Sequence, residues 1–264
     1  MLRALVFVFA GILLGVAAQA QTTGMPEPLS KVGIDQRLNE QAPLDLTFRD
    51  ETGKQVQLRQ YFGRKPVVLS LVYYECPMLC TMVLNGLLRS LRATPLNVHE
   101  HFEVVTVSFD PKEGPELAAP KKAEYVKKYG RKGGSEGWHF LTGDEDSIKK
   151  LAQSVGFRYA WDAQTNQWAH ASGIMVLTPQ GKIARYLYGV EYSAKDLRFA
   201  LVEASAGRIL SPVDQLLLLC YHYDPKTGKY GFVIMNALRA AGMATVFLLG
   251  LFMFVNLRRD RRKT

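Results

Sequence analysis

The fold follows from one short stretch of the chain, Pro66-Val-Val-Leu-Ser-Leu-Val-Tyr-Tyr-Glu-Cys-Pro-Met-Leu-Cys80. Its first part, 66–74, is a continuous apolar run, which is typical of a central strand buried on both faces of a sheet. Residues 77–92 then change to the apolar spacing of a helix, carried by Leu84, Leu87, Leu88 and Leu91. The two cysteines therefore lie where a buried strand passes into a helix.

The region around this stretch alternates predicted strands and helices. Residues 44–58 have alternating apolar side chains on either side of Thr52-Gly53 and predict a hairpin. Further strands are predicted at 102–109, 138–141, 157–161, 174–177 and 182–188, and further helices at 116–129, 144–155 and 194–207. This order predicts an α/β protein with a partly parallel sheet. It is the element order of a thioredoxin-like fold with an N-terminal hairpin extension.

Both ends of the chain carry membrane signals. Residues 1–20 combine Arg3, a short apolar run and the small-residue pattern Ala18-Gln19-Ala20, which together predict a secretory signal peptide. An uncleaved N-terminal anchor is the alternative. Residues 231–257 are almost wholly apolar and long enough to cross a hydrocarbon core of about 30 Å, so they predict a transmembrane helix.

The basic tail at 258–264 predicts the orientation of the chain. Arginines beside a membrane-spanning helix stay on the cytoplasmic side, which leaves the preceding domain on the outside. We therefore expect a single-pass protein of the bacterial inner (cytoplasmic) membrane whose functional domain faces the periplasm or the cell exterior. The other expected segments are an extended leader at 21–42, a thioredoxin-like domain at 43–208 and a juxtamembrane segment at 209–230.

The net charge does not indicate a nucleic-acid partner. The chain of 264 residues carries a formal charge of +9, but the basic tail, Arg3 and Arg239 supply six of these charges. The region between the terminal segments is too close to neutral for a nucleic-acid-binding surface. A hydrophobic content of 48% also excludes a disordered chain.

The cysteines indicate a redox or metal-binding site rather than a fold stabilised by disulfides. Only three are present, Cys76, Cys80 and Cys220, too few for a disulfide-built domain in an oxidising compartment. Pro77 suits the first helical position, which places Cys76 at the helix N-cap, where unpaired N–H groups lower a thiol pKa. Cys80 follows one turn later, so the two sulfurs can close a redox-active disulfide or bind a soft metal ion together. A purely structural disulfide at the helix start is the alternative.

His170 is the candidate third ligand. It lies just before the strand predicted at 174–177, and a loop that enters a late central strand can face the first strand–helix turn of such a sheet. Two thiolates and one imidazole suit Cu(I), or Cu(II) once a solvent ligand is added. Zinc accepts the same ligands but tends to complete a closed tetrahedron. The alternative is a histidine that only caps a strand.

Three segments together resemble the Sco/SenC family: the turn Cys76-Pro-Met-Leu-Cys80, the strand end Val107-Ser-Phe-Asp110-Pro111, and His170 ahead of the strand that leads to Gly181. The resemblance covers about residues 40–208. Proteins of this family have a thioredoxin fold, bind copper and help to assemble the binuclear copper site of cytochrome c oxidase. The resemblance implies that Cys76, Cys80 and His170 are copper ligands and that the two cysteines cycle to a disulfide.

The resemblance also gives Asp110 a supporting role beside the site, although an Asp-Pro turn explains this residue equally well. Two positions depart from the family pattern. Thr81 stands where many members have proline, and Ala169 stands where many have aspartate. The second change removes a carboxylate that can orient the imidazole. Family members are often tethered by an N-terminal helix, whereas this chain is expected to carry a C-terminal anchor.

The predicted function is that of a membrane-anchored copper metallochaperone that assists copper-site assembly in cytochrome c oxidase. Its expected cargo is copper, as Cu(I) or Cu(II). Its expected partners are the copper-site subunit of the oxidase, other copper chaperones or thiol–disulfide reductants, and the membrane, with no nucleic acid.

The alternative function is that of a thiol–disulfide oxidoreductase that keeps the target cysteines reduced. Such an enzyme needs Cys76 and Cys80 but has no evident need of His170. A thiol peroxidase is disfavoured by Tyr73, because peroxidases of this fold resemble one another in a threonine at that position. A copper or redox sensor shares every site residue with the chaperone. The sequence therefore leaves open whether the protein is an enzyme.

A second thiol and imidazole lie outside the resemblance. Cys220 and His222 stand two residues apart between the domain and the expected transmembrane helix, where they can acquire copper or resolve a disulfide. The neighbouring leucines and tyrosines are more typical of an interfacial anchor.

Overall fold

The computed structural model describes residues 31–207, together with 223–224, 229–230, 239, 242–250 and 252–254. The strands are β1 (Gly33–Ile34), β2 (Thr47–Arg49), β3 (Gln55–Gln57), β4 (Val67–Val72), β5 (Glu103–Ser108), β6 (Trp138–Leu141), β7 (Phe157–Asp162), β8 (Gln167–His170), β9 (Gly173–Leu177), β10 (Ile183–Tyr188), β11 (Tyr223–Asp224) and β12 (Lys229–Tyr230). The helices are α1 (Leu79–Ala93), α2 (Pro115–Tyr129), α3 (Gly134–Gly137), α4 (Glu145–Ser154) and α5 (Ala194–Ser205), with a 3-10 turn at Leu58–Tyr61. Every element expected between 44 and 207 is present close to its predicted bounds.

A five-stranded mixed sheet forms the centre of the domain, with the strand order β10-β9-β4-β5-β6. β4 runs parallel to β5 and antiparallel to β9, and β5 runs parallel to β6. Every residue of β4 and β5 is buried, as expected for central strands covered on both faces. Ser70 and Thr106, which lie opposite each other in these strands, satisfy their hydroxyls by a mutual hydrogen bond of 2.9 Å. The prediction of an α/β, thioredoxin-like fold is confirmed.

The helix α1 is held in place by the helices beside it, which matters because it carries Cys80 in its first turn. It buries a stripe of apolar side chains and packs against both α2 and α5. Gly86 lies at its closest approach to the rest of the protein: a Cβ atom built there would fall 1.9 Å from the carbonyl oxygen of Val190. A side chain at this position would therefore push the helix away from its neighbours.

A second sheet, absent from the sequence-based expectation, carries the histidine. β7 pairs antiparallel with both β1 and β8, in the order β1-β7-β8. His170 is therefore the last residue of β8, opposite Tyr159, instead of lying in a free loop. β1 comes from the segment expected to be an extended leader, and it buries Ile34. Strands as short as β1 and β8 show too little alternation to be recognised in a sequence.

The terminal expectations fall largely outside the described residues. The signal peptide at 1–20, most of the juxtamembrane segment at 209–230, including Cys220 and His222, and the tail at 258–264 all lie there. Within the expected transmembrane segment, 242–250 and 252–254 are helical with exposed side chains. In the part of the chain that is described, no helix combines the length and apolar character needed to cross a membrane.

We expect that Gly156→Ala destabilises the domain, because Gly156 joins the leader to the second sheet. Its φ is +67°, and an added Cβ would fall 1.8 Å from the carbonyl oxygen of Asp35, whose N–H donates to the Gly156 carbonyl at 2.8 Å. The left-handed backbone alone should lower the free energy of unfolding by about 1–2 kcal/mol, and the clash should add to this. The matched control is Gly189→Ala, since Gly189 has a φ of +85° and open space around it. Urea denaturation that finds equal losses for the two variants would contradict this role of the close approach.

Candidate metal centre

The cysteine turn, residues 73–78, connects the end of β4 to the start of α1. Sequence spacing placed Cys76 at the helix N-cap, but α1 begins at Leu79, with Met78 as its N-cap. The reason is visible in the hydrogen bonding of Cys80. Its N–H donates to the sulfur of Cys76 at 3.3 Å, so the thiol takes the place that a backbone carbonyl would hold in a helix begun two residues earlier. The expected contact between the Cys76 sulfur and the first helical turn is present, although the helix starts later.

The three predicted ligands converge on one point. The cysteines are both free, and Cys80 Sγ lies 3.1 Å from His170 Nε2. The ligand atoms of Cys76, Cys80 and His170 all lie within 4.8 Å of one another. Among the described residues, this is the one group of three histidine, cysteine or carboxylate side chains close enough to hold a metal ion. Two sulfurs and one imidazole nitrogen form a soft donor set.

The imidazole of His170 has a fixed orientation. Nδ1 lies 2.8 Å from the carbonyl oxygen of Ala171, which can only accept, so Nδ1 is the nitrogen that carries a proton. Nε2 is thereby left toward the sulfurs, with a lone pair free for a metal ion whenever the ring is neutral. Ala169 lacks the carboxylate that many family members have at that position, and the backbone carbonyl of Ala171 performs the same orienting task.

The two thiols have opposite acidities. The pKa of Cys76 is lowered, chiefly by the hydrogen bond that the Cys80 thiol donates to its sulfur, against the effect of burial. The pKa of Cys80 is raised by burial and by the neighbouring Cys76 sulfur. Cys80 is also the more enclosed of the two, with 1% of its surface exposed against 8% for Cys76. The reduced site therefore holds one thiolate and one thiol, and a metal ion must displace the proton of Cys80.

Aromatic rings enclose the histidine. The ring centroid of His170 lies 5.2 Å from that of Phe109 and 6.0 Å from that of Tyr73, in edge-on arrangements. Phe157, at 6.2 Å, closes a further side. The Tyr73 hydroxyl also hydrogen bonds with Cys76, which further lowers the pKa of that thiol. These rings limit the access of water and restrict the imidazole to one position.

Asp110 lies outside the group of three and orders the wall of the site. Its Oδ2 accepts a hydrogen bond of 2.8 Å from Trp168 Nε1, and its Oδ1 accepts one of 2.9 Å from the N–H of Lys112. Trp168 is two residues before His170 in β8, so the two side chains share a face of that strand. Asp110 therefore links the end of β5 to the strand that carries the histidine, in addition to forming the expected Asp-Pro turn.

The sequence alone did not identify Glu113, whose carboxylate accepts hydrogen bonds from the backbone at the start of the cysteine turn. This carboxylate is 5% exposed and accepts hydrogen bonds from the N–H groups of Tyr74, at 2.7 Å, and Glu75, at 2.8 Å. The hydroxyl of Ser108 donates to it as well. Burial raises the pKa of Glu113, and these three donors oppose the rise. In the sequence, Glu113 follows Lys112 and resembles an ordinary solvated charge. Its role becomes visible only in the hydrogen bonds that its carboxylate accepts from backbone N–H groups.

The remaining histidines of the domain lie elsewhere. His99 and His139 contact Glu103, at the amino end of β5, 3.3 and 3.8 Å from its carboxylate oxygens, and His101 pairs with Glu100 at 3.9 Å. The amino ends of parallel strands face away from the edge at which the cysteine turn lies. These residues therefore take no part in the group of three.

A thioredoxin-like domain with a dithiol and an oriented imidazole at the carboxyl end of a central strand defines a class of metal-binding or redox proteins. Comparison with known proteins gives the family. The SCO1/SenC family model matches residues 35–203, and the chain belongs to this family.

Several solved structures are similar to this chain. A protein from Aquifex aeolicus VF5, named as a candidate electron-transfer protein, is 29% identical with a TM-score of 0.57, over 64% of this chain and 95% of its own. A SCO1/SenC family lipoprotein from Bacillus anthracis is 16% identical with a TM-score of 0.50, over 69% of this chain and 99% of its own. ScoI of Arabidopsis thaliana, solved with copper bound, is 20% identical with a TM-score of 0.48, over 61% of this chain and 96% of its own. A search among curated proteins gave no match.

We predict that Cys76 is alkylated by iodoacetamide at a pH well below the usual thiol pKa of about 8.5, because its thiolate persists to lower pH. The measurement is the pH profile of alkylation, followed by mass spectrometry on the reduced, metal-free protein with Cys220→Ser. Cys80→Ala should move the midpoint upward by more than His170→Ala, since it removes the thiol whose hydrogen bond is the largest cause of the shift. A midpoint near 8.5 in the protein with both site cysteines would contradict the assignment of the thiolate.

Glu113→Gln should loosen the cysteine turn. The amide offers one acceptor oxygen where the carboxylate offers two, which leaves a backbone N–H of Tyr74 or Glu75 without a partner. We expect a loss of about 1–3 kcal/mol in the free energy of unfolding and faster alkylation of Cys76. Glu116→Gln is the matched control, because Glu116 is an exposed carboxylate only three residues away. Equal behaviour of the two variants in both assays would refute the role given to Glu113.

Proposed function

We propose that this protein binds a copper ion between Cys76, Cys80 and His170 and delivers it to the copper-site subunit of cytochrome c oxidase. The observation that carries the proposal is the convergence of two sulfurs and one oriented imidazole within 4.8 Å at a buried point of the domain. Membership of the SCO1/SenC family supports it, since the family resembled in the sequence is associated with copper and with assembly of this oxidase.

The donor set favours copper over zinc. Thiolates are soft ligands that select Cu(I), and an imidazole suits copper in either oxidation state. Three protein ligands leave a position open, which a cargo ion needs if it is to be passed to another protein. A structural zinc site would close a tetrahedron, and the described residues bring no fourth histidine, cysteine or carboxylate into this group.

The three ligand side chains have different roles in binding the ion. Cys76 offers a thiolate at once, because its pKa is lowered, and it is the more exposed of the two sulfurs. His170 presents Nε2 without rearrangement, since Ala171 holds Nδ1. Cys80 must lose its proton to bind the ion. The complete site therefore forms together with the ion, whose positive charge compensates for the second buried thiolate.

Thiol–disulfide exchange is the second function that a specific observation favours. A thiolate at Cys76 next to a thiol at Cys80 matches the attacking and resolving pair of a reductase. Cys76 would attack a target disulfide to give a mixed disulfide, and Cys80 would then displace the target thiol. The target gains two thiols, the protein is left with a Cys76–Cys80 disulfide, and an external dithiol must reduce it again.

We also propose that the domain is anchored in the bacterial inner membrane and faces the periplasm. The support comes from the sequence: an N-terminal signal segment, the apolar run at 231–257 and the basic tail at 258–264. A reporter enzyme fused after Thr264 tests the orientation. Activity confined to the cytoplasm is expected, and periplasmic activity would reverse the topology.

His170→Ala separates the two functions. We expect this variant to bind Cu(I) at least about 100-fold more weakly, because it loses a ligand, while its reduction of a model disulfide stays close to that of the unchanged protein. The assays are competition with a Cu(I) chelator and the rate of disulfide reduction. His101→Ala is the matched control, since His101 is exposed and outside the group of three. Copper affinity unaffected by His170→Ala, together with ready disulfide exchange, would favour the reductase.

A further inference from the structure

Two methionines flank the cysteines on the surface of the protein. Met78 is 68% exposed and Met82 is 43% exposed, whereas Met175 in β9 is fully buried. Methionine is among the side chains most often found inside proteins, and here two of them lie exposed within one helical turn beside a buried site. Their positions are two residues after Cys76 and two residues after Cys80.

Met78 is the N-cap residue of α1, and Met82 lies in its first turn. The N–H of Met82 donates to the carbonyl oxygen of Met78 at 3.0 Å, which is the bond of a complete helical turn. This bond keeps the two residues close to each other at the start of the helix. Since methionine is unbranched and flexible, both thioether sulfurs can reach one ion.

The chemistry of a thioether pair suits transient binding. Thioether sulfur is a soft, neutral donor that selects Cu(I) and has no proton to lose. It also differs from the buried site in its exposure, because Cys80 is only 1% exposed. A weak, exposed pair of neutral sulfurs can hold Cu(I) without retaining it.

We propose that Met78 and Met82 form a second, low-affinity Cu(I) site, through which the ion enters and leaves the group of Cys76, Cys80 and His170. This inference rests on the proposed copper function. Transfer is an exchange of ligands in which copper remains Cu(I). The Cys76 thiolate replaces one thioether, and the thiolate of Cys80 and His170 Nε2 follow, with the Cys80 proton passing to solvent. Release runs through the same exchanges in reverse.

A direct test is to remove the buried site by substitution and to measure whether Met78 and Met82 still bind Cu(I). The protein is the full-length chain with Cys76→Ser, Cys80→Ser, His170→Ala and Cys220→Ser, labelled with ¹³C at the methionine methyl groups and titrated anaerobically with Cu(I). The methyl signals of Met78 and Met82 should shift together with a single midpoint. Single Met78→Leu and Met82→Leu variants are the matched controls, since each leaves one thioether, and the remaining methyl signal should then shift only at a higher Cu(I) concentration. No shift, or a midpoint that neither substitution changes, would overturn the proposal.

A kinetic test uses the intact buried site. Met78→Leu with Met82→Leu keeps the apolar size of both side chains and removes both sulfurs. We expect release of Cu(I) to a small chelator to slow by about tenfold, the effect of about 1.4 kcal/mol on a barrier, with the equilibrium affinity almost unchanged. Phe199→Leu, an exposed apolar change on α5, is the control. Unchanged release would overturn the proposed role of the methionines.

The two proposals can fail separately. If the unchanged protein binds Cu(I) through the buried site but the methionine methyl signals do not respond in the four-residue variant, the methionine site is wrong and the proposed function stands. If the unchanged protein does not bind Cu(I) at all, the proposed function fails, whatever the methionines do.

Discussion

The contact of 3.1 Å between Cys80 Sγ and His170 Nε2 joins two parts of the chain that lie 90 residues apart. Cys80 is in the first turn of α1, directly beyond β4, while His170 ends β8 in a different sheet. The two meet because β9 follows β8 almost at once and pairs with β4, which brings the end of β8 to the edge where the cysteine turn lies. The sheet register, the packing of α1 and the second sheet all contribute to this one distance.

The site also solves an electrostatic problem. Two thiolates side by side in a buried site would repel each other and lose solvation, so the free protein keeps one of them protonated. The ionised sulfur, Cys76, is stabilised by the Cys80 thiol and by an N–H of the first helical turn. A bound cation compensates the second negative charge, so metal binding and proton release are linked.

Much of the fold could be predicted from sequence periodicity, and the reason is physical. β4, β5 and α1 have long apolar patterns because each is buried over most of its length. The short strands β1 and β8 could not be predicted, because their pairing with β7 depends on contacts between distant parts of the chain. The start of α1 was placed two residues too early, since residue types alone do not reveal that a cysteine sulfur accepts the N–H of Cys80.

The site, like the fold, could be predicted only in part. Cys76, Cys80 and His170 could be named in advance because their side chains carry the chemistry. The groups that hold them could not: Ala171 acts through its backbone carbonyl, and Glu113 acts by accepting two backbone N–H groups, which no residue pattern records. The membrane segments remain predictions from the sequence, since the described residues contain no helix able to span a bilayer.

The most direct test of the central proposal is copper X-ray absorption spectroscopy on the full-length reduced protein loaded with one equivalent of Cu(I). Coordination by two sulfurs and one imidazole nitrogen is expected, with the nitrogen contribution lost in His170→Ala and one sulfur lost in Cys76→Ser or Cys80→Ser. A spectrum of the unchanged protein without sulfur ligands, or one that none of these substitutions alters, would contradict copper binding at this group.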